Sequence, residues 1–356
     1  MVRTVSAQIG VDSGRVMTVR GPILVSDMGA TLMHDHILVD ASGKWVPPSA
    51  TEDLYLIDRQ VSIEILGDLR MNPLACRDNC RITDQNLAVE ELMRFKNLGG
   101  QTVVDPTNIG IGRNPEALKH ISDLTGLNII MGAGYYLDPT LPPYVAKESI
   151  EQLCRRIEHD LGAAAEKPLV AAGLIGEIGI SGTMTANEEK SLRAAALANA
   201  KTGVPLAIHL PGWQRVGHQI LDIVATEGAD LHHTILCHMN PSHDDTAYQQ
   251  ELVARGVFIE YDMIGMNYFY ADEQAQSPSD EDNARAIKGL IDAGSVEQIL
   301  LSQDVFLKMM LTSYGGHGYG YILRHFVPRL KRHGVSDDQI ETLLVENPQR
   351  VFSRLP

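Results

Sequence analysis

His34-Asp35-His36 closes an apolar run, Ala30-Thr31-Leu32-Met33, and is followed by Ile37-Leu38-Val39. In an extended chain alternate side chains share a face. Imidazoles at i and i+2 therefore aim at one point, which is what a divalent metal requires. Four more candidate ligands, Glu177, His209, His238 and Asp304, each end an apolar run of their own. Alone, each has a structural reading: a hydrogen-bonded core histidine, a paired glutamate, a helix-capping aspartate. Together they exceed one tetrahedral zinc site. They suit two ions, with His34, His36 and Asp304 on one, His209 and His238 on the other, and Glu177 between. Two ions about 3.5–4 Å apart pin and acidify a bridging water and polarise an electrophilic oxygen. Asp304 then lies beside the resulting hydroxide, placed to accept or shuttle its proton. The chemistry expected is metal-dependent hydrolysis.

Positioning six such residues needs a repeated scaffold. Eight apolar, β-branched segments occur in order, at residues 32–40, 102–108, 128–136, 169–181, 204–210, 233–239, 256–265 and 298–304. Helical spacing fills the intervals at 83–98, 186–202, 215–227, 244–255 and 283–293, and glycines such as Gly203 and Gly256 end several of these. Asn187 with Lys190 looks like a helix start. Strand and helix alternating eight times indicates a (β/α)₈ TIM barrel, an α/β fold whose active site sits at the C-terminal ends of the strands. The candidates fall after strands one, four, five, six and eight. Residues 11–28 read as an N-terminal β-hairpin before strand one. The expected organisation is one hydrolase domain over 1–356, with the hairpin in 1–30, barrel strands in 31–310 and closing helices in 311–356.

The composition agrees. The chain has 356 residues, 44% of them hydrophobic, and a formal net charge of -15, which argues against nucleic acid or an anionic membrane as partner. No stretch is apolar enough to span a bilayer, and residues 1–8 lack the apolar core of a leader peptide. The four cysteines, Cys76, Cys80, Cys154 and Cys237, form no Cys-x-x-Cys pair. Reduced thiols and a cytoplasmic location follow as expectations.

Specific motifs are now in view: Thr18-Val19-Arg20-Gly21-Pro22-Ile23, Thr31-Leu32-Met33-His34-Asp35-His36, Val104-Asp105-Pro106-Thr107, Thr202-Gly203-Val204-Pro205-Leu206-Ala207-Ile208-His209, Ser302-Gln303-Asp304 and Glu346-Asn347-Pro348. Through them nearly the whole chain resembles the phosphotriesterase-like family of the amidohydrolase superfamily. That resemblance implies a distorted (β/α)₈ barrel, a two-zinc centre and a homodimer. Where phosphotriesterases proper carry a carboxylated lysine on strand four, this chain has Glu177. In that respect, and in Gly315-Gly316-His317-Gly318-Tyr319-Gly320, it resembles the branch called phosphotriesterase homology proteins.

The expected substrate is a small carboxylic ester, foremost a lactone, attacked by a hydroxide bridging two divalent ions, taken as zinc. Phosphotriester or aryl ester hydrolysis is the alternative among enzymes, with amide hydrolysis a third possibility. A small-molecule-binding barrel with a vestigial metal site is the non-enzymatic one. Loops after the strands should build the pocket, with Tyr135, Tyr136, Lys308 and His317 as substrate contacts and Trp213, Tyr261 and Tyr319 nearby. Lys308, four residues past Asp304, suits a negative group on the substrate. Arg113 is expected to brace the loop after strand two.

Overall fold

The computed structural model describes residues 14–45, 47–164 and 168–353. The expectation for residues 1–8 and the start of the hairpin stretch lie outside them. Short runs of branched apolar residues, buried on both faces, form the staves of the barrel. Barrel strands one to eight are Thr31–Leu32, Thr102–Asp105, Asn128–Ala133, Leu174–Gly179, Leu206–His209, Thr234–Leu236, Phe258–Tyr261 and Ile299–Leu301. They lie in one sheet in chain order, joined by parallel pairings such as Val103 with Ile129. Helices follow most of the strands, and the architecture is a TIM barrel. Every ladder is shorter than its apolar run. Strand one has two residues, so His34 and His36 lie beyond it.

The sheet order runs from strand eight to strand one with no ladder joining those two ends among the described residues. A different set of bonds closes this seam. The His36 N–H donates to the Val305 carbonyl at 3.1 Å and the Asp304 N–H to the His34 carbonyl at 3.0 Å. The His34 N–H donates to the Ser302 hydroxyl, which donates to Asp35, both at 2.8 Å, while the other Asp35 oxygen accepts the Val305 N–H at 2.9 Å. Burial pushes the Asp35 carboxyl up to about 7 against these donors.

Inside the sheet, Met33, Val104, Ile130, Leu174, Ala207, Ile235, Phe258 and Leu300 fill the barrel. The floor comes from both ends of the described chain. The antiparallel hairpin Arg15–Thr18 and Gly21–Leu24 brings in Val16, and the helix Asn347–Phe352 brings in Val351 and Phe352. Buried His233 ties that helix down, its Nδ1 lying 2.7 Å from the Val351 carbonyl. A second apolar layer packs strands against the outer helices.

The helix Ala186–Thr202 spans the residues expected of it, but its cap is Thr185, in a capping box with Glu188, not Asn187. Glu188 also accepts the Asp138 N–H and the Ser181 N–H and hydroxyl, which fixes the loop after strand four. Gly203 ends the helix at φ 65, where a side chain would be strained. Arg113 braces its loop by donating to the Gly132 carbonyl and pairing with Asp160 at 2.6 Å. No described helix is long and apolar enough to cross a membrane.

Ser302→Ala leaves a buried N–H and a buried carboxylate oxygen without partners at the seam. A loss of about 1–3 kcal/mol is expected, read from urea unfolding. An unchanged midpoint would mean that the remaining seam bonds suffice.

Candidate metal centre

The mouth of the barrel gathers all six expected residues. His34 and His36 arrive from the seam, Glu177 from within strand four and His209 from the last position of strand five. His238 and Asp304 follow strands six and eight in left-handed backbone, at φ 59 and φ 47. Such conformations cost roughly 1–3 kcal/mol in a residue with a side chain and cluster at functional sites. Glu177 enters through a register shift between Ile175 and Ile178, after a cis Gly176–Glu177 peptide. Gly176 is required there, because a Cβ would meet the Ala207 carbonyl oxygen at 2.3 Å.

Glu177 is the hub. Its Oε1 lies 3.3 Å from His36 Nε2, and its Oε2 lies 3.5 Å from His34 Nε2, 2.9 Å from His209 Nδ1 and 3.3 Å from His238 Nε2. Asp304 Oδ1 lies 3.7 Å from His34 Nε2 and 3.4 Å from His36 Nε2. Among the described residues three groups of candidate ligand atoms fall within 4.8 Å of one another: His34, His36 and Asp304; His34, Glu177 and His238; and His34, Cys237, Glu260 and Asp262. The set fits divalent ions. Two ligand atoms at ordinary zinc distances and a tetrahedral angle stand about 3.4 Å apart. His34 Nε2 is buried with no hydrogen-bond partner, an atom that a metal would satisfy.

The electrostatics are those of a cation trap. Burial pushes His36 and His238 down, but Asp304 and Glu177 around the first, and Asp262 around the second, outweigh it and hold them up at about 9 and about 10. Burial pushes Glu177 up, yet the imidazoles of His34 and His209 hold it well below the usual carboxylate range.

Strand seven, through Glu260, and the residue just after it, Asp262, supply partners absent from the expected set. Glu260 Oε2 lies 3.2 Å from His34 Nδ1. Asp262 lies 3.0 Å from His238 Nδ1 and accepts the His238 N–H at 2.8 Å, fixing both the ring and its left-handed backbone. Thr107 Oγ1 sits 2.7 Å from His36 Nδ1, and the Tyr136 hydroxyl 3.3 Å from His209 Nδ1. The contacts of Glu260, Asp262 and Thr107 fall on the nitrogens opposite those facing Glu177 and set the tautomer and orientation of those histidines, whereas the Tyr136 hydroxyl shares with Glu177 the same nitrogen of His209. The available signal was Glu260 and Asp262 at i and i+2 in an otherwise apolar run, the same spacing as His34 and His36.

A cavity of ≈ 500 Å³ opens above the cluster, lined by His36, Glu177, His209, His238 and Asp304 with Tyr136 and Trp213. The other expected contacts lie elsewhere. Lys308 pairs with Asp78, a residue brought over from the insertion after strand one. His317 stacks on Tyr321 at 4.1 Å, and Tyr135 packs edge-on against Tyr144 at 6.1 Å. Tyr319 is buried with its hydroxyl on the His36 carbonyl, and Tyr261 bonds Gln249. The four cysteines are buried and form no disulfide.

The sequence profile of the phosphotriesterase family matches residues 14–352. A phosphotriesterase-related protein of Nematostella vectensis is 36% identical over 95% of this chain and 98% of its own. The N-acetyltaurine hydrolase of Homo sapiens is 31% identical over 95% of this chain and 97% of its own. Among solved structures, a resiniferatoxin-binding protein from Rhodobacter sphaeroides matches with a TM-score of 0.94 and 51% identity, covering 97% of this chain and 96% of that one. The phosphotriesterase homology protein of Escherichia coli, complexed with phosphate in its active site, matches with a TM-score of 0.74 and 26% identity, covering 92% of this chain and 99% of that one.

Elemental analysis of protein grown with added zinc should find close to two divalent ions per chain, and Glu177→Ala should lose them. Asp262→Ala should weaken metal retention roughly 10–100-fold against a chelator. Retention equal to wild type would show that Asp262 does not orient His238 for a metal.

Proposed function

The chain belongs to the phosphotriesterase family, and from that membership and the geometry of the site we propose a zinc-dependent hydrolase of carboxylic acyl bonds. One observation carries this: a buried carboxylate, Glu177, is ringed by four imidazoles and lines, with Asp304, a cavity of ≈ 500 Å³. Divalent ions held by His34, His36, Glu177, His209, His238 and Asp304 would supply a Lewis acid and lower the pKa of water.

The protein's own groups supply the rest. Asp304 faces the cavity and is only 7% exposed. Its carboxylate accepts the proton of a water that attacks the carbonyl carbon. It returns that proton to the leaving oxygen or nitrogen as the acyl bond breaks. Burial keeps the Tyr136 phenol protonated, so its hydroxyl, also facing the cavity, can donate to the carbonyl oxygen as negative charge builds there.

Lactones and simple esters are the substrates expected from chemistry, because their leaving groups depart easily. N-acyl amides join them because curated relatives are named N-acetyltaurine hydrolases. A binding role without turnover is the second reading, favoured by the apolar cavity and by the likeness to a protein described as resiniferatoxin-binding.

On one zinc-loaded preparation, kcat/KM for the best ester, lactone or amide should exceed that for paraoxon by at least about 10²-fold, roughly 2.7 kcal/mol of transition-state binding. Equal or reversed values would move the assignment to phosphorus. Saturable binding with no turnover of any of them would establish the second reading. Asp304→Asn should lower kcat by about 10²-fold or more while keeping much of the metal; wild-type turnover would remove Asp304 from the proton path.

A further inference from the structure

The cavity above the cluster combines apolar walls with a lack of cations. Leu74, Ile111, Trp213, Met263, Met266 and Tyr270 line it. Among the described lining residues there is no lysine or arginine, and the one charged side chain away from the cluster is Glu273. The nearby lysine best placed in sequence to meet an anion, Lys308, is held by Asp78 and lies outside the lining. Trp213 is a fixed plate. Its indole N–H donates to the Gln276 carbonyl at 3.1 Å, its edge meets Tyr270 at 5.7 Å, and it remains 39% exposed.

We propose that this cavity selects acyl compounds whose remote portion is uncharged and apolar, seated against Trp213, and that it discriminates against sulfonates and carboxylates. The proposal rests on the acyl-hydrolase assignment only in taking the scissile carbonyl to the cluster. An anionic tail would leave water for apolar walls with no donor of positive charge. It would also meet the carboxylate of Glu273, away from the cluster. An apolar tail gains by leaving water, and the two methionine side chains adapt to its shape.

The test is a matched pair of acetamides, N-benzylacetamide and N-acetyltaurine, titrated calorimetrically into zinc-loaded protein, with turnover followed separately. N-benzylacetamide should bind at least about tenfold more tightly, the equivalent of about 1.4 kcal/mol. Trp213→Ala should erase that preference without changing metal content. Glu273→Lys, at an exposed position, should raise the affinity for N-acetyltaurine and spare the neutral compound, and it stands as the test if Trp213→Ala fails to fold. Equal or tighter binding of N-acetyltaurine by wild type, or no saturable binding of the neutral compound, overturns the proposal. A tenfold preference with no turnover of either overturns the hydrolase assignment and leaves this one. Turnover of both without preference does the reverse.

Discussion

The seam between the first and last barrel strands is the constraint on which the site depends. Three of the six cluster residues, His34, His36 and Asp304, lie on its two sides. An ordinary ladder there would run the chain straight past the mouth. Instead strand one stops at Leu32, and Asp35 and Ser302 take over the bonding. The side chains on either side of Asp35 are thereby free to point inward, because the backbone N–H of His34 is already satisfied by a hydroxyl and that of His36 by a carbonyl. The residue between the two histidines thus has its own task, which is to hold their carriers together.

Around that seam the charge is arranged in shells. Glu177 and Asp304 face the imidazole nitrogens that converge on the centre, while Glu260, Asp262 and Thr107 hold the opposite nitrogens. Four carboxylates, Glu177, Asp304, Glu260 and Asp262, surround the imidazoles at this mouth, a donor set that could hold metal. Farther out the polarity ends abruptly, and the walls of the cavity are largely apolar. On the proposed function, chemistry would sit on the strand ends and recognition on the loops above them.

Much of this was legible in the sequence, and the limits have physical causes. Eight apolar, β-branched runs separated by stretches of helical spacing mark the eight strands, and five of the six cluster residues stand at the last position of theirs or beyond it, while Glu177 lies within strand four. Glu260 and Asp262 share the i, i+2 spacing of the histidines, but a carboxylate in an apolar run carries no local sign of its partner; His34 and His238 are far away in sequence. Loop side chains were harder still. Lys308 turns toward Asp78, and His317 toward Tyr321, choices made by tertiary neighbours that no spacing rule encodes. The cap at Thr185, by contrast, is legible locally, since Thr and Glu three residues apart carry that signal plainly.

The floor of the barrel has a consequence for the chain's own biogenesis. Val16 and Met28 lie near one end of the described chain and Val351 and Phe352 near the other, yet they seal one apolar interior. A ribosome adding about 5–20 residues per second must pass position 352 before that interior closes. Until then the hairpin has no lid to pack beneath, and the strands emerge with greasy inner faces. Closure of this interior therefore waits on the helix that carries Val351 and Phe352, and a chain without that helix would leave the inner faces of the strands uncovered at the floor.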